Sequence, residues 1–325
     1  MITDLSIIRN GFCDRLKLLT FYIAVATVKN DPVLYIKEEK SHAGPFDFLE
    51  FCEIEGLRAE PWNEGVKDKS LEIDYGFEPG IKPSLKFVRC NKPKGLKITD
   101  KAFLKLWISC YKRIKPIQRI RQKIEKLGVG SDCLGIHIRM TDKFVAKVTD
   151  CITPYAIVPS QLKKINEIIE EEARGFMADN AGGRVYLASD SGEWNAIWSD
   201  KLREIGCTVI SNDSHYSKDH FRETNGEDFI MDLFSLARCK SMIGTVDSGV
   251  VICASYINGS SEYSFAFSKL VFSKYINYAR WVLLYHYHMN LFDFHHSVIV
   301  RYALKIRPIR RLADKMIDRR KNRML

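Results

Sequence analysis

Apolar and polar positions change period twice within the first 36 residues. Leu5-Ser6-Ile7-Ile8 reads as a short strand, Asn10-Gly11-Phe12-Cys13-Asp14 as a turn, residues 16–28 as an apolar-periodic helix, and residues 33–36 as extended chain again. This is a β-α-β start. From 37 to 98 Gly and Pro recur (Gly44-Pro45, Gly56, Pro61, Pro79-Gly80, Pro93) and no period persists, so a loop-rich stretch is expected. Helical period returns over 100–113 and over 116–127, the second with Pro116 near its first position and Gly128 at its end. A domain boundary is expected there.

The second half is more regular. Cys133 to Arg139 is an apolar run suited to a parallel strand buried on both faces. Helices are expected over 160–174 (with Ser160 as N-cap), 193–205, 229–239 and 248–256, and strands over 184–188, 207–210 and 242–244. Strand and helix alternate, which predicts an open parallel sheet covered on both faces. Ligands of such sheets bind at the carboxyl ends of the strands. That rule selects four clusters: residues 10–15, 137–143, 189–191 and 244–249.

At 325 residues the chain suits two domains of about 150 residues each. Its 46% apolar and 28% charged residues exclude disorder, collagen and coiled coil. The net charge of +10 is unevenly placed: residues 266–325 hold 13 Lys and Arg against three Asp, and residues 1–265 hold 37 of each sign. A uniformly basic nucleic-acid surface is therefore not expected, and the tail needs its own explanation. The nine cysteines are scattered singly, with no C-x-x-C pair, and Cys133, Cys207 and Cys253 sit in apolar runs as small hydrophobes. No leader pattern opens the sequence and no run reaches about 18 apolar residues, so a cytoplasmic protein without a membrane span is expected.

His137 and Arg139 alternate on a strand end and face the same way. A guanidinium there, beside Lys143, suits a pyrophosphate through its planar fork; the alternative is pairing with Asp142 or another acid at the sheet edge. Gly244-Thr-Val-Asp-Ser-Gly249 is a strand passing into a helix through small residues, which offers N–H groups to an anion. It equally reads as a helix capped by Asp247 or Ser248. Asp190 ends a strand, and Asp232 falls on the expected first turn of helix 229–239, where a dipole role would also suit it. His286, His288, His295 and His296 lack a ligand set for a metal, and an aromatic-rich surface or packing role suits them better.

Three of these segments together resemble the α1,6-fucosyltransferase and NodZ nodulation fucosyltransferase superfamily: Gly-Ile-His-Ile-Arg-Met-Thr-Asp-Lys (135–143), Val-Tyr-Leu-Ala-Ser-Asp (185–190), and the run from Asp232 through Gly-Thr-Val-Asp-Ser to 248. Order and spacing agree over about residues 133–256, and the turn at Gly11 resembles that superfamily's N-terminal glycine loop. The resemblance implies a GT-B fold, two Rossmann-like domains facing a cleft, with the nucleotide sugar held mainly by the second; residues 37–130 and those after 260 carry no resemblance. The expected division is 1–128 on the acceptor side, 129–265 for the nucleotide sugar, and 266–325 as an aromatic, basic helical extension read from the tail's own sequence. It implies GDP-fucose as donor, no cofactor and no metal. Arg139 would bind the β-phosphate, His137 and Asp232 the guanosine end, and Thr245 and Ser248 the phosphates or nearby donor groups. Gly11 and Asp14 would close over the donor, and Asp190 would sit near the nucleotide. Met140 stands where the α1,6 enzymes have a second arginine, and Lys147 where an acid is expected. The acceptor base is thus open between Asp142, Asp14 and Asp150.

In the tail, Ile309, Leu312, Ala313, Met316 and Ile317 follow helical spacing, flanked by Arg310, Arg311, Lys315 and Arg319. From Ile309 to Arg323 this describes an in-plane helix on an anionic membrane, upstream of which Trp281, Tyr285 and Tyr287 add interfacial aromatics. Docking on the protein's own N-terminal domain is the other reading. The expectation is an inverting enzyme, peripheral on the inner membrane face, acting on a glycan acceptor, lipid-linked or not, with no nucleic-acid partner; the alternatives are a transferase using another nucleotide sugar and a non-catalytic nucleotide- or membrane-binding protein of the same fold, for which Met140 and Lys147 speak.

Overall fold

The computed structural model describes residues 1–5, 12–38, 47–66, 83–141, 157, 159–212, 225–246, 248–259 and 262–266. Gly11, Asp142, Lys143, Asp150, Asp247, the four histidines and the basic tail lie outside these residues. Met1–Thr141 and Glu167–Ala266 form one compact unit.

The fold is α/β with parallel sheets. In the first half β1 (Ile2–Asp4), β2 (Val33–Lys37) and β4 (Arg58–Pro61) make a three-stranded parallel sheet in the order β1-β2-β4. The crossover between β1 and β2 is α1 (Phe12–Lys29). The first described strand is Ile2–Asp4, whose register pairs Ile2 with Tyr35 and Asp4 with Lys37; residues 6–8 of the strand expected over 5–8 lie outside the described residues. Helix α1 is apolar nearly all round and correspondingly buried all round, with Leu18, Leu19, Phe21, Tyr22, Ile23, Ala24 and Val25 sealed from solvent. Its buried Lys17 ammonium is neutralised by Asp14 one turn earlier, 2.8 Å away.

The loop-rich stretch contains small elements: α2 (Phe48–Phe51), β3 (Cys52–Ile54) and α3 (Leu85–Asn91). Then come α4 (Asp100–Cys110), a 3-10 turn over Tyr111–Arg113, β5 (Ile114–Pro116) and α5 (Gln118–Lys126). Pro116 does not open α5. It lies in β5, which pairs antiparallel with β3 and sets Pro116 opposite Cys52, so the helix begins two residues later. Trp107 of α4 packs on Phe21 of α1, and its indole N–H donates to the Lys17 carbonyl at 3.1 Å.

The second sheet has five parallel strands: β6 (Cys133–Ile138), β7 (Arg184–Ser189), β8 (Thr208–Ser211), β9 (Ser241–Gly244) and β10 (Tyr263–Phe265), in the order β10-β9-β6-β7-β8. All six residues of β6 are buried, which is why the run carries no alternation. The helices are α6 (Pro159–Asp179), α7 (Gly192–Glu204), α8 (Gly226–Leu236) and α9 (Gly249–Asn258). Helix α6 starts at Pro159, so Ser160 lies inside the first turn rather than capping it. Gly135 lets the helix layer come close: a Cβ there would stand 2.9 Å from Leu236 Cδ2 and 3.0 Å from Met242 Cγ.

The strand order reverses beside β6. The chain runs from β6 outward to β7 and β8, then returns to the other flank for β9 and β10. The crevice of such a sheet opens where the order reverses, here above the carboxyl ends of β6 and β9, at His137 and its register partner Gly244.

Candidate active site

Arg139 is the first residue past β6, and two neighbouring strand ends fix its backbone. From the β9 side, Thr245 N–H donates to the His137 carbonyl at 3.1 Å, extending the ladder by one rung. The Thr245 hydroxyl accepts from Arg139 N–H at 3.0 Å and lies 3.2 Å from the Arg139 carbonyl, to which it donates. From the β7 side, Asp190 N–H donates to the Ile138 carbonyl at 3.3 Å. The Asp190 carboxylate accepts from Met140 N–H at 2.9 Å, from Thr141 N–H at 3.4 Å and from the Thr141 hydroxyl at 2.6 Å. Both carboxylate oxygens of Asp190 are thus bound to the turn that follows β6.

His137 and Arg139, with Ser189 and Asp190 from β7, Phe229 and Asp232 from α8, and Val250 from α9, line one pocket of about 390 Å³, part of it open to solvent. Phe229 and Asp232 reach it together because they stand three residues apart on one face of α8. Helix α8 starts at Gly226, capped by Asn225 whose side chain accepts from Asp228 N–H. Asp232 is therefore beyond the first turn, and the acids near the helix start are Glu227 and Asp228. The dipole role expected for Asp232 goes to those two.

Asp232 is instead a buried carboxyl. Burial pushes it up to about 8, with the nearby Asp228 carboxylate adding to the shift, although the Tyr186 hydroxyl donates to Oδ1 at 2.7 Å. At neutral pH it is mostly protonated. Tyr186 is wholly buried in β7, and the sequence reading passed over it. Its signal was a polar-tipped ring inside an apolar strand, where a phenolic hydroxyl needs a partner.

Ser248 caps α9, its Oγ accepting from Val250 N–H at 3.2 Å, so the capping alternative describes its hydroxyl. The amino ends of α9 and α1 meet. A Cβ on Gly249, the first residue of α9, would stand 2.9 Å from Cys13 Cβ and 3.7 Å from Lys17 Nζ. Two helix N-termini converge here, and their dipoles favour negative charge, part of which Asp14 supplies beside Lys17. Asp14 lies on the first turn of α1 and holds Lys17.

A second carboxyl was also missed. Glu38 follows β2, and its Oε2 accepts from Phe48 N–H at 2.7 Å. Burial pushes Glu38 up to about 7 against the pull of that bond and of Arg15, with Asp47 adding to the rise. Phe48 stacks on Phe12 (ring centroids 6.3 Å), and Phe12 meets Phe229 of the pocket edge-on at 5.6 Å. No three His, Cys, Asp or Glu side chains group as a metal cluster among the described residues, and no described helix is long and apolar enough to cross a membrane.

No family model matches the sequence, and no curated protein matches it. Among solved structures the chain is similar to NodZ alpha-1,6-fucosyltransferase soaked with GDP-fucose, at 16% identity over 79% of this chain and 91% of that one, with a TM-score of 0.48. Fucosyltransferase NodZ from Bradyrhizobium is similar at 15% identity over 78% of this chain and 91% of that one, TM-score 0.45. POFUT1 in complex with GDP is similar at 14% identity over 49% of each chain, TM-score 0.31.

Proposed function

We propose that this chain is a metal-independent, inverting glycosyltransferase that moves fucose from GDP-fucose to a glycan acceptor. One observation carries the reading. His137, Arg139, Asp190 and Asp232 come from three separate sequence segments and line one pocket, at the point where the strand order of a parallel sheet reverses.

In this reading the pyrophosphate lies between Arg139 and the paired N-termini of α1 and α9. The Arg139 guanidinium and the helix N–H groups stabilise the charge that builds on GDP as the glycosidic C–O bond breaks. The bond's electron pair leaves with GDP, and the acceptor oxygen attacks the anomeric carbon from the opposite face. Its proton passes to a carboxylate. Asp142 stands for that role from the sequence, and Glu38 is a second candidate, bound to Phe48 N–H in the aromatic chain Phe48–Phe12–Phe229 that reaches the pocket and, like Asp232, raised toward neutrality, where a general base works best. Asp232 and His137 take the guanine end, whose N–H edge suits a carboxylate acceptor. Thr245, Asp190 and Ser248 act by positioning. The division into 1–128, 129–265 and 266–325, a lipid-linked acceptor, and an inner-membrane site reached through Ile309 to Arg323 belong to the same proposal.

The test is to incubate the protein with a panel of nucleotide sugars, following slow donor hydrolysis and thermal shift. GDP-fucose turnover that vanishes in Arg139→Ala, with the thermal unfolding of the free protein unchanged, supports the reading. Indifference to every GDP compound refutes it.

A further inference from the structure

Residues 84–105 carry seven Lys and Arg against one acid, Asp100. The remainder of residues 1–265 then holds 30 basic and 36 acidic residues, so the neutrality of that region is a sum over two unlike parts. The basic stretch is the α3–α4 hairpin. Its single carboxylate is already engaged, by Lys92 at 2.6 Å and Arg89 at 3.9 Å. Lys94, Lys97, Lys101 and Lys105 are exposed and have no carboxylate partner among the described residues.

The packing explains why these charges share a surface. Helix α4 turns Phe103, Trp107 and Cys110 inward, and α1 is its main packing partner. Lys101 and Lys105 lie one turn apart on the opposite, exposed side, and the connection from α3 presents Lys94 and Lys97 beside half-buried Leu96 and Ile98. Like charges at i and i+4 weaken a helix, so the fold bears a cost that an anionic partner would relieve.

We propose that the α3–α4 hairpin is a docking surface for a bilayer carrying anionic headgroups. The number of basic side chains falls in the range by which such surfaces hold a peripheral protein. Six of the seven are lysines, point charges suited to a diffuse field, where bidentate phosphate reading would favour arginine. Every aromatic ring of the hairpin, Phe87, Phe103 and Trp107, is buried, which leaves no platform for stacking nucleic-acid bases. The residues of this surface are not those of the basic tail or of the donor pocket, and the proposal stands whether or not the donor is GDP-fucose.

The test uses the full chain and co-sedimentation with phosphatidylcholine vesicles, with and without phosphatidylglycerol, at low and high salt. At about fivefold per lysine, neutralising the four positions to Gln should weaken binding to acidic vesicles by some hundreds of times, and the K94E/K97E/K101E/K105E reversal by more than that, with circular dichroism and donor response unchanged. The same four positions changed to Gln give a milder loss and serve if the charge reversal prevents folding. Salt should weaken the parent more than either variant. Equal binding of parent and Gln variant to acidic vesicles overturns the proposal, as does equal binding of the parent to neutral and acidic vesicles. Loss of oligonucleotide binding without loss of vesicle binding also overturns it and assigns the hairpin to nucleic acid.

Discussion

Replacing Asp232 by Asn should make the protein more stable at neutral pH and remove part of its pH dependence. An Asp carboxyl ordinarily titrates near 3.8, and in the folded chain this one titrates at about 8. Between those values the folded state holds a proton that the unfolded chain has released. Stability therefore falls as pH rises through that window, by ~1.4 kcal/mol per unit for this one group. The burden is absent below pH 4, reaches about 4 kcal/mol at pH 7, and levels off near 6 kcal/mol above pH 8. An Asn side chain here keeps an oxygen for the Tyr186 hydroxyl, whose donor contact is 2.7 Å, and has nothing to ionise. Urea unfolding of both proteins at pH 4.5, 6, 7 and 8 measures the effect. The two stabilities should lie close together at the lowest pH and diverge steadily upward, with the variant the more stable. Parallel curves would refute the assignment of a buried, protonated Asp232. The same reasoning bears on ligand binding: a guanine edge donating N–H groups to this carboxyl displaces its proton. GDP affinity should rise with pH up to about 8, and calorimetry in buffers of different ionisation enthalpy should register proton release.

Thr245→Val removes the hydroxyl that bridges Arg139 N–H and carbonyl. It should cost about 1–2 kcal/mol in urea unfolding and lower donor turnover more than that loss explains, because the guanidinium is no longer aimed. Glu38→Gln should abolish the rise of turnover through pH 7 expected of a base held there, with donor affinity unchanged; an unaltered pH profile would return the role to Asp142.

Four of the five strands of the second sheet were legible, β6, β7 and β9 because they are largely buried and show as bare apolar runs between turn residues; the three half-buried residues of β10 gave no such run. His137, Arg139 and Asp190 follow from the rule that ligands of parallel sheets bind at the carboxyl ends of the strands, and they line one pocket; the reversal of order beside β6 depends on pairing between distant strands and has no local signal. The stretch 37–98 was not legible. Its described elements are three to seven residues long, and β3 finds its partner in β5, some sixty residues away, so no local period marks either strand. The same pairing explains why Pro116 passed for a helix start. Asp232 was placed in a first turn because the helix was read from its first apolar residue, Phe229, while the actual start is the cap at Asn225. Tyr186 and Glu38 are invisible to pattern reading because their importance comes from burial beside another element.

Asp190 carries a consequence for how this protein should be mapped by mutation. Its two oxygens hold Met140 and Thr141, the first residues of the turn leading from Arg139 toward Asp142 and Lys143. Asp190→Ala would release that turn and remove activity as thoroughly as an alanine at a residue touching substrate. A scan scored by turnover alone would then draw the reactive centre one strand too far toward β7. Only a paired measurement of donor affinity and turnover, with Asp190→Asn as the conservative rescue, would separate the residues that meet the ligand from the scaffold that aims them.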